Sequence, residues 1–220
     1  ALPGGDFRIL EAYLLALRSA RRLIYIENQF LWSPEIMAVL REHVRQPPSD
    51  EFRLVLLLPA KPNNGGDDTR GHLSTLLEAD AGAGRVLACT LLSPDGADGN
   101  PIYVHAKIGI VDDAWITVGS ANLNEHSLFN DTELNVVIHD AGLVRQTRLR
   151  LWAEHLDKPV AEIDGDTTEV IDDLWRRIAT NQAWRRENHL PPTHRLTLLP
   201  QLSKRAGLLL GPLQGLTVDA

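Results

Sequence analysis

A short stretch in the middle of the chain concentrates side chains that are suited to work on a phosphodiester. They form two patterns, H-x-K-x4-D and G-S-x-N, made by His105, Lys107 and Asp112 and by Gly119, Ser120 and Asn122. A neutral imidazole can attack phosphorus or pass a proton to a leaving oxygen. A lysine ammonium places fixed positive charge beside the non-bridging oxygens, and Ser and Asn side chains donate hydrogen bonds to them. These residue types in this spacing predict phosphoryl-transfer chemistry.

The motif is predicted to lie on two antiparallel strands joined by a turn at Asp112. Because side chains alternate between the two faces of a strand, His105, Lys107 and Gly109 would share one face. Apolar residues would anchor the opposite face, and Gly109 would leave space beside the polar one. The return strand is predicted over 115–118, and the loop that carries Ser120 and Asn122 follows it.

The stretch from Tyr103 to Glu133 resembles the HKD signature of the phospholipase D superfamily. Two other segments resemble the same family, IYIENQF at 24–30 and R-x-x-L-W-x-E-H-L at 148–156. The resemblance covers about residues 5–158 and implies an α/β fold, in which a mixed β-sheet is sandwiched between helices. The order of the segments resembles the C-terminal half of a two-motif enzyme, so the chain would form one HKD half.

Glu133 opens a strand that is predicted over 133–138, where Leu134, Val136 and Ile138 alternate with polar residues. In the family, an acid at this location hydrogen-bonds the second nitrogen of the catalytic histidine. The resemblance therefore implies that Glu133 orients His105. Asp131 has the same parity and is the alternative, and a solvated acid at a strand end is the other interpretation.

Three polar residues, Glu27, Asn28 and Gln29, follow a short strand that is predicted over 23–26. Polar residues at the end of a strand in an α/β fold are often where a ligand binds. We therefore predict a possible pocket at these residues. The alternative is that they only cap the helix that begins at Ser33-Pro34-Glu35.

The chain carries one HKD motif, because no other histidine is followed by a lysine two residues later. An in-line displacement needs two histidines, one to attack phosphorus and one to protonate the leaving alcohol. The resemblance implies that the second comes from a missing N-terminal HKD half or from a homodimer partner. In a two-motif enzyme His105 would be the general acid and later the base, whereas in a homodimer it could take either role.

No metal or other cofactor is predicted, because lysine supplies the positive charge and His and Cys residues do not occur at zinc spacing. Asp112 completes the catalytic motif and is predicted to act as a turn residue that ties its strands together. His155 is predicted to lie on a helix surface or to cap that helix.

Composition limits the remaining possibilities. The 220 residues carry a net charge of −7, which argues against a nucleic-acid partner. Cys89 is the only cysteine, and no apolar run is long enough to span a membrane. The chain begins at Ala1 and its only methionine is Met37, so we expect the translation start to lie elsewhere. A cytoplasmic or peripheral membrane location is expected.

Two domains are predicted. Residues 1–158 would form the phospholipase D-like HKD domain, and residues 159–220 a C-terminal helix and a Leu/Pro-rich tail that pack on it. The alternative for the tail is an interfacial segment, since the leucines at 208–210 follow Lys204 and Arg205.

Three functions remain open. The first is a phosphodiesterase of phospholipase D type that hydrolyses or transfers a phosphatidyl group at a membrane surface, through a phosphohistidine intermediate. A cardiolipin synthase-like phosphatidyltransferase is a variant of it. The second is a single-motif HKD nuclease acting as a homodimer, and the third is a non-catalytic binding module. The intact motif argues against a non-catalytic module.

Overall fold

The computed structural model describes residues 5–61, 66–93 and 99–200. In this part of the chain, eight strands form one mixed sheet in the order β4-β3-β2-β1-β5-β6-β7, and β8 pairs with β3. The strands are β1 (Leu23–Glu27), β2 (Arg53–Leu57), β3 (Val86–Leu92), β4 (Pro101–Ile102), β5 (Ile108–Val111), β6 (Trp115–Gly119), β7 (Asn135–Ile138) and β8 (Leu196–Leu198). Strands β1, β2 and β3 run parallel, and the other neighbours are antiparallel.

Helices cover both faces of this sheet, as predicted. They are α1 (Arg8–Ser19), α2 (Pro34–Arg45), α3 (Gly66–Asp80), α4 (Ala141–Leu156), α5 (Val160–Ile163), α6 (Thr167–Glu169) and α7 (Arg176–Glu187). Helices α1 to α3 pack on one face and α4, α5 and α7 on the other, each over its own hydrophobic cluster. Two π-helical segments, His126–Asn130 and Val170–Trp175, complete the described elements.

Strands β1 and β2 are central because their side chains are apolar on both faces. Ile24 and Leu54 belong to the cluster under α1 to α3, whereas Tyr25 and Val55 belong to the opposite cluster. Burying each such side chain stabilises the fold by roughly 1.5–3 kcal/mol. The continuous apolar run at 52–58 was therefore a correct signal for a strand covered on both sides.

The second helix begins where its capping residues predict. Ser33 Oγ accepts a hydrogen bond from the Ile36 N–H, and Pro34 occupies the first turn. The helix ends at Arg45, just before Pro47-Pro48. This start directs the chain that leaves β1 back across the sheet.

Two strand predictions need correction. Residues 103–107 do not belong to a strand, so β5 begins only at Ile108, after His105 and Lys107. Strand β7 begins at Asn135, and two of the three alternating apolar residues are exposed: Val136 is 56% exposed and Leu134, just before the strand, is 75% exposed, whereas Ile138 packs against the second cluster. Alternation predicts burial only where another layer covers the strand, and β7 lies at the edge of the sheet.

The segments on either side of the predicted boundary at 158 and 159 share a core. Trp152 of α4 and Trp175 contact each other edge to face, with 5.2 Å between their ring centroids. Strand β8 joins the main sheet through β3. The division into two domains stays a prediction, and the proposed interfacial segment at 204–210 lies outside the described residues. No helix of the described chain is long and apolar enough to cross a membrane.

Candidate active site

The motif residues other than Asp112 lie at one end of the sheet, beside β5, β6 and β7. Lys107 immediately precedes β5, Ser120 immediately follows β6, and Glu133 lies just before β7. The antiparallel register pairs Ile108 with Val118 and Gly119 with Asn135. The start of β5, the end of β6 and the start of β7 therefore lie side by side, and their flanking residues form one site.

Lys107 is the buried cation of this site, with 6% of its surface exposed. Its Nζ donates to Gln29 Oε1 at 3.1 Å and to the His105 carbonyl oxygen at 2.8 Å. Desolvation lowers the pKa of Lys107 from its usual value of 10.5, and the negative charge of Glu133 acts in the opposite direction. Two of the three N–H groups of the ammonium are thus engaged by described residues, and an ammonium has a third to offer to a phosphate oxygen.

His105 differs from Lys107 in being exposed. Its ring stacks beside Tyr103, with centroids 6.2 Å apart and planes inclined by 30°. An exposed imidazole can meet a substrate from solvent or face a second catalytic group across an interface. The site therefore combines an accessible imidazole with a buried ammonium.

Ser120 and Glu133 contact each other directly. Ser120 Oγ donates to Glu133 Oε2 and accepts from the Leu134 N–H at 3.1 Å. The Glu133 carboxylate is thus engaged by Ser120, and its pairing with His105 stays a prediction. Asp131, the alternative acid, lines the same groove of about 680 Å³ as Glu133.

The backbone at Gly119 fits against the start of β7. A Cβ on Gly119 would lie 2.2 Å from Asn135 Oδ1 and 2.3 Å from the Leu134 carbonyl oxygen. Asn135 Oδ1 also accepts from the Ala121 N–H at 3.3 Å. Only glycine lets the loop of Ser120 and Asn122 approach β7 this closely. Asn122 is half-buried, and its Oδ1 has no hydrogen-bond partner among the described residues.

Glu27, Asn28 and Gln29 are 4%, 0% and 9% exposed, so they lie beneath the site and not on an open surface. Glu27 accepts from Tyr25 OH at 2.6 Å and lies 3.0 Å from His155 Nε2. The three side chains contact three different elements. Their prediction as a pocket stays a prediction, whereas the placement of His155 on the helix surface was wrong.

Asn28 connects β1 to the loop of the G-S-x-N pattern. Its Oδ1 accepts from the Leu123 N–H at 3.3 Å and from the Phe30 N–H at 3.1 Å. The Leu123 carbonyl oxygen in turn accepts from the Trp32 and Ser33 N–H groups, both at 3.0 Å. The segment after β1 thereby fixes the loop that carries Ser120 and Asn122.

Asp112 lies at the opposite end of β5 from Lys107, in a turn with φ of 51°. Its carboxylate accepts from the N–H groups of Arg21, Arg22 and Leu23 at 2.6, 2.8 and 2.7 Å. These bonds hold the β5–β6 turn against the start of β1 and do not join the two motif strands to each other. The catalytic role of Asp112 stays a prediction.

Gly109 does not face the site. A Cβ there would lie 2.9 Å from Tyr13 Cε1, so the space beside this glycine is filled by the ring of a helix α1 residue. The prediction that Gly109 leaves room beside the polar face was therefore wrong. Among the described residues, no group of three or more His, Cys, Asp or Glu side chains could hold a metal ion.

The chain matches a known family. Residues 13–153 match the family model described as cardiolipin synthase, PLD-like domain. The match spans more than half of the chain, and this protein belongs to the phospholipase D superfamily.

Particular relatives are similar over most of the chain. Phospholipase D zeta 1 of Arabidopsis thaliana is 30% identical over 228 residues, which cover 77% of this chain and 21% of that protein. Phospholipase D2 of Bos taurus is 31% identical over 178 residues, which cover 61% of this chain and 19% of that protein. The chain thus spans about a fifth of the length of these relatives.

Two solved structures share the fold. Nuc from Salmonella typhimurium, a phospholipase D family member, superposes with a TM-score of 0.54 at 20% identity and covers 71% of this chain and 91% of its own. NucT from Helicobacter pylori superposes with a TM-score of 0.53 at 16% identity, covering 69% and 89%.

Proposed function

We propose that this chain supplies one half of a phospholipase D-type phosphodiesterase, which hydrolyses or transfers the phosphatidyl group of a glycerophospholipid. The observation that carries the proposal is the pairing of exposed His105 with buried Lys107 at one sheet end, beside Ser120. An accessible imidazole next to a desolvated ammonium suits phosphoryl transfer. Similarity to two phospholipases D supports a phospholipid substrate.

In the proposed reaction, a histidine of the second half attacks phosphorus, and the P–O bond to the headgroup alcohol breaks. His105 gives its proton to that alcohol as it leaves. The phosphohistidine intermediate is then cleaved by water or by an acceptor alcohol, from which His105 removes a proton. Lys107 and Asn122 bind the non-bridging oxygens, and Ser120 joins them when its hydroxyl turns from Glu133 to the phosphate.

The second half is proposed to be either another segment of the same protein or a second copy of this chain. We propose that the second half binds at strand β7, because this edge strand lies beside the site and carries exposed apolar side chains. Val118, Leu134 and Val136 are 44%, 75% and 56% exposed, and their positions share one face of the sheet. Burying them under the second half would also cover the exposed strand edge.

The decisive test measures headgroup release from phospholipid vesicles by the assembled enzyme. His105→Ala is expected to lower the rate about 10³-fold, because it removes the acid that protonates the leaving alcohol. His189→Ala is the matched control, since His189 is an exposed histidine outside the β7 region. A His105→Ala enzyme that keeps the rate of the control would refute the proposal.

A single-motif nuclease is the second candidate, and the presence of one HKD motif in the chain favours it. The net charge of −7 opposes it, because phosphate backbones attract basic surfaces. Cleavage of single-stranded DNA by a homodimer, without headgroup release, would establish this alternative. In the lipid assay, transfer to phosphatidylglycerol in preference to water would identify a cardiolipin synthase-like transferase. A chelator is expected to leave the rate unchanged, because Lys107 supplies the positive charge.

A further inference from the structure

Gln29 makes a bridge between the two residues that flank the exposed histidine. Its Oε1 accepts from Lys107 Nζ at 3.1 Å, and its Nε2 donates to Tyr103 OH at 2.8 Å. The side chain is 91% buried, since 9% of its surface is exposed. The amide therefore contacts the catalytic segment on both sides of His105 from beneath.

We propose that Gln29 is a positioning residue that fixes the Lys107 ammonium and, through Tyr103, the segment that carries His105. This inference rests on the proposed function, because it concerns how the same site is held in its reactive arrangement. Gln29 acts through these two residues and is not proposed to contact the substrate.

The backbone around His105 needs such support. Residues 103–107 lie outside any strand, and among the described residues the strand ladder reaches this segment only at its end, where the Lys107 carbonyl oxygen accepts from the Gly119 N–H at 3.2 Å. The side chain of Lys107 is a flexible four-carbon stem, and its other partner, the His105 carbonyl oxygen, belongs to the same segment. Gln29 supplies an anchor from outside the segment, at the end of strand β1.

The chemistry of the bridge requires an amide. An ammonium only donates hydrogen bonds, so Gln29 must present its carbonyl oxygen to Lys107. That choice directs the NH2 group towards Tyr103 OH. The anchor itself is fixed, because the neighbouring Asn28 is fully buried and its N–H donates to the Leu57 carbonyl oxygen at 3.2 Å.

The first experiment measures the pKa of Lys107 by competitive acetylation of the full-length protein across the alkaline range, read out peptide by peptide. Lys158, which pairs with Glu162, is the internal reference. Gln29→Leu is expected to lower the Lys107 pKa by about one pH unit, because it removes an oxygen that stabilises the ammonium. Gln29→Glu is expected to raise it, because a carboxylate replaces the neutral oxygen.

Gln146→Leu is the matched control, because Gln146 is exposed on helix α4. It is expected to leave the Lys107 pKa unchanged. An unchanged Lys107 pKa in both Gln29→Leu and Gln29→Glu would overturn the inference. Because the two variants act in opposite directions, a general loosening of the fold cannot reproduce the pair of results.

The second experiment separates positioning from substrate binding in the assembled enzyme. Gln29→Leu is expected to lower kcat about tenfold, since the lost hydrogen bond involves a charged group, with little change in KM for the lipid. The alkaline limb of the pH profile of kcat should lie at lower pH in Gln29→Leu than in the unchanged enzyme. A rise in KM at constant kcat would overturn the inference. Retained activity in His105→Ala would instead refute the proposed function, and the acetylation result would still stand.

Discussion

Lys107 holds the positive charge of the site where little water reaches it. Burial lowers its pKa, and three groups favour the charged form: Gln29 Oε1, the His105 carbonyl oxygen and the charge of Glu133. The ammonium can therefore serve as a fixed counter-charge for phosphate. The protonation of Lys107 thus depends on two opposing effects: desolvation favours the neutral amine, and the neighbouring oxygens favour the ammonium.

The lowered pKa of Lys107 predicts an alkaline limit to activity. The rate of the assembled enzyme should fall as pH rises through the folded-state pKa, which lies below 10.5, because the neutral amine no longer compensates phosphate charge. Between that value and the unfolded-state pKa, the unfolded chain binds the proton more strongly. Folding stability should therefore rise with pH in this window.

The measurement is kcat/KM against pH, compared with Lys107→Arg. A guanidinium stays protonated throughout this range, so the alkaline limb should move to higher pH in any residual activity of that variant. If the alkaline limb of Lys107→Arg stays at the same pH, the limb reports the titration of another group.

At the scale of elements, the end of strand β1 organises the site. Glu27, Asn28 and Gln29 alternate in direction, and each contacts a different element: helix α4, the loop at Leu123 and the segment before β5. One short run of residues thereby contacts both Lys107 and the loop that carries Ser120 and Asn122, the residues proposed to bind phosphate.

The close approach of β6 and β7 predicts a strict requirement for glycine at position 119. Gly119→Ala should lower the free energy of unfolding by about 2 kcal/mol or more, because its Cβ would overlap backbone and side-chain atoms of β7. It should also displace Ser120 and lower the rate. Urea unfolding of the folded variant measures the first effect.

Gly165→Ala provides the control for that measurement. A Cβ there would lie 3.8 Å from Val170 Cγ2, an ordinary contact, so stability should change little. Equal stability of the two variants would contradict the requirement at Gly119.

At the scale of the molecule, the site lies next to the β7 edge of the sheet. The proposed chemistry needs a second histidine close to His105. The exposed apolar residues of β6 and β7 lie beside this site. Exposed strand edges of this kind associate readily with other chains. We therefore expect assembly and activity to be coupled at this edge.

Val136→Glu should weaken association with the second half at least about tenfold, because it places an unpaired charge on the covered edge. Sedimentation measures the association, and activity should fall in parallel. Leu190→Glu, a similar change at a residue 38% exposed outside the β7 region, should leave both unchanged. Unaltered association in Val136→Glu would place the interface elsewhere.

The sequence by itself determined the features that depend on local chemistry or on simple periodicity. The H-x-K-x4-D spacing identified the family, the run at 52–58 predicted a central strand, and Ser33-Pro34-Glu35 predicted the start of α2. Each of these signals is contained in a few neighbouring residues, and each can be interpreted without knowing what packs against it.

Only the tertiary structure decided which distant residues meet. Glu27 contacts His155 across 128 positions, and Lys107 contacts Gln29 across 78 positions. Likewise, Tyr13 fills the space beside Gly109, and Val136 is left 56% exposed by the described elements. Strand order and register fix these relations, and they follow from how the whole chain packs, which no local pattern contains.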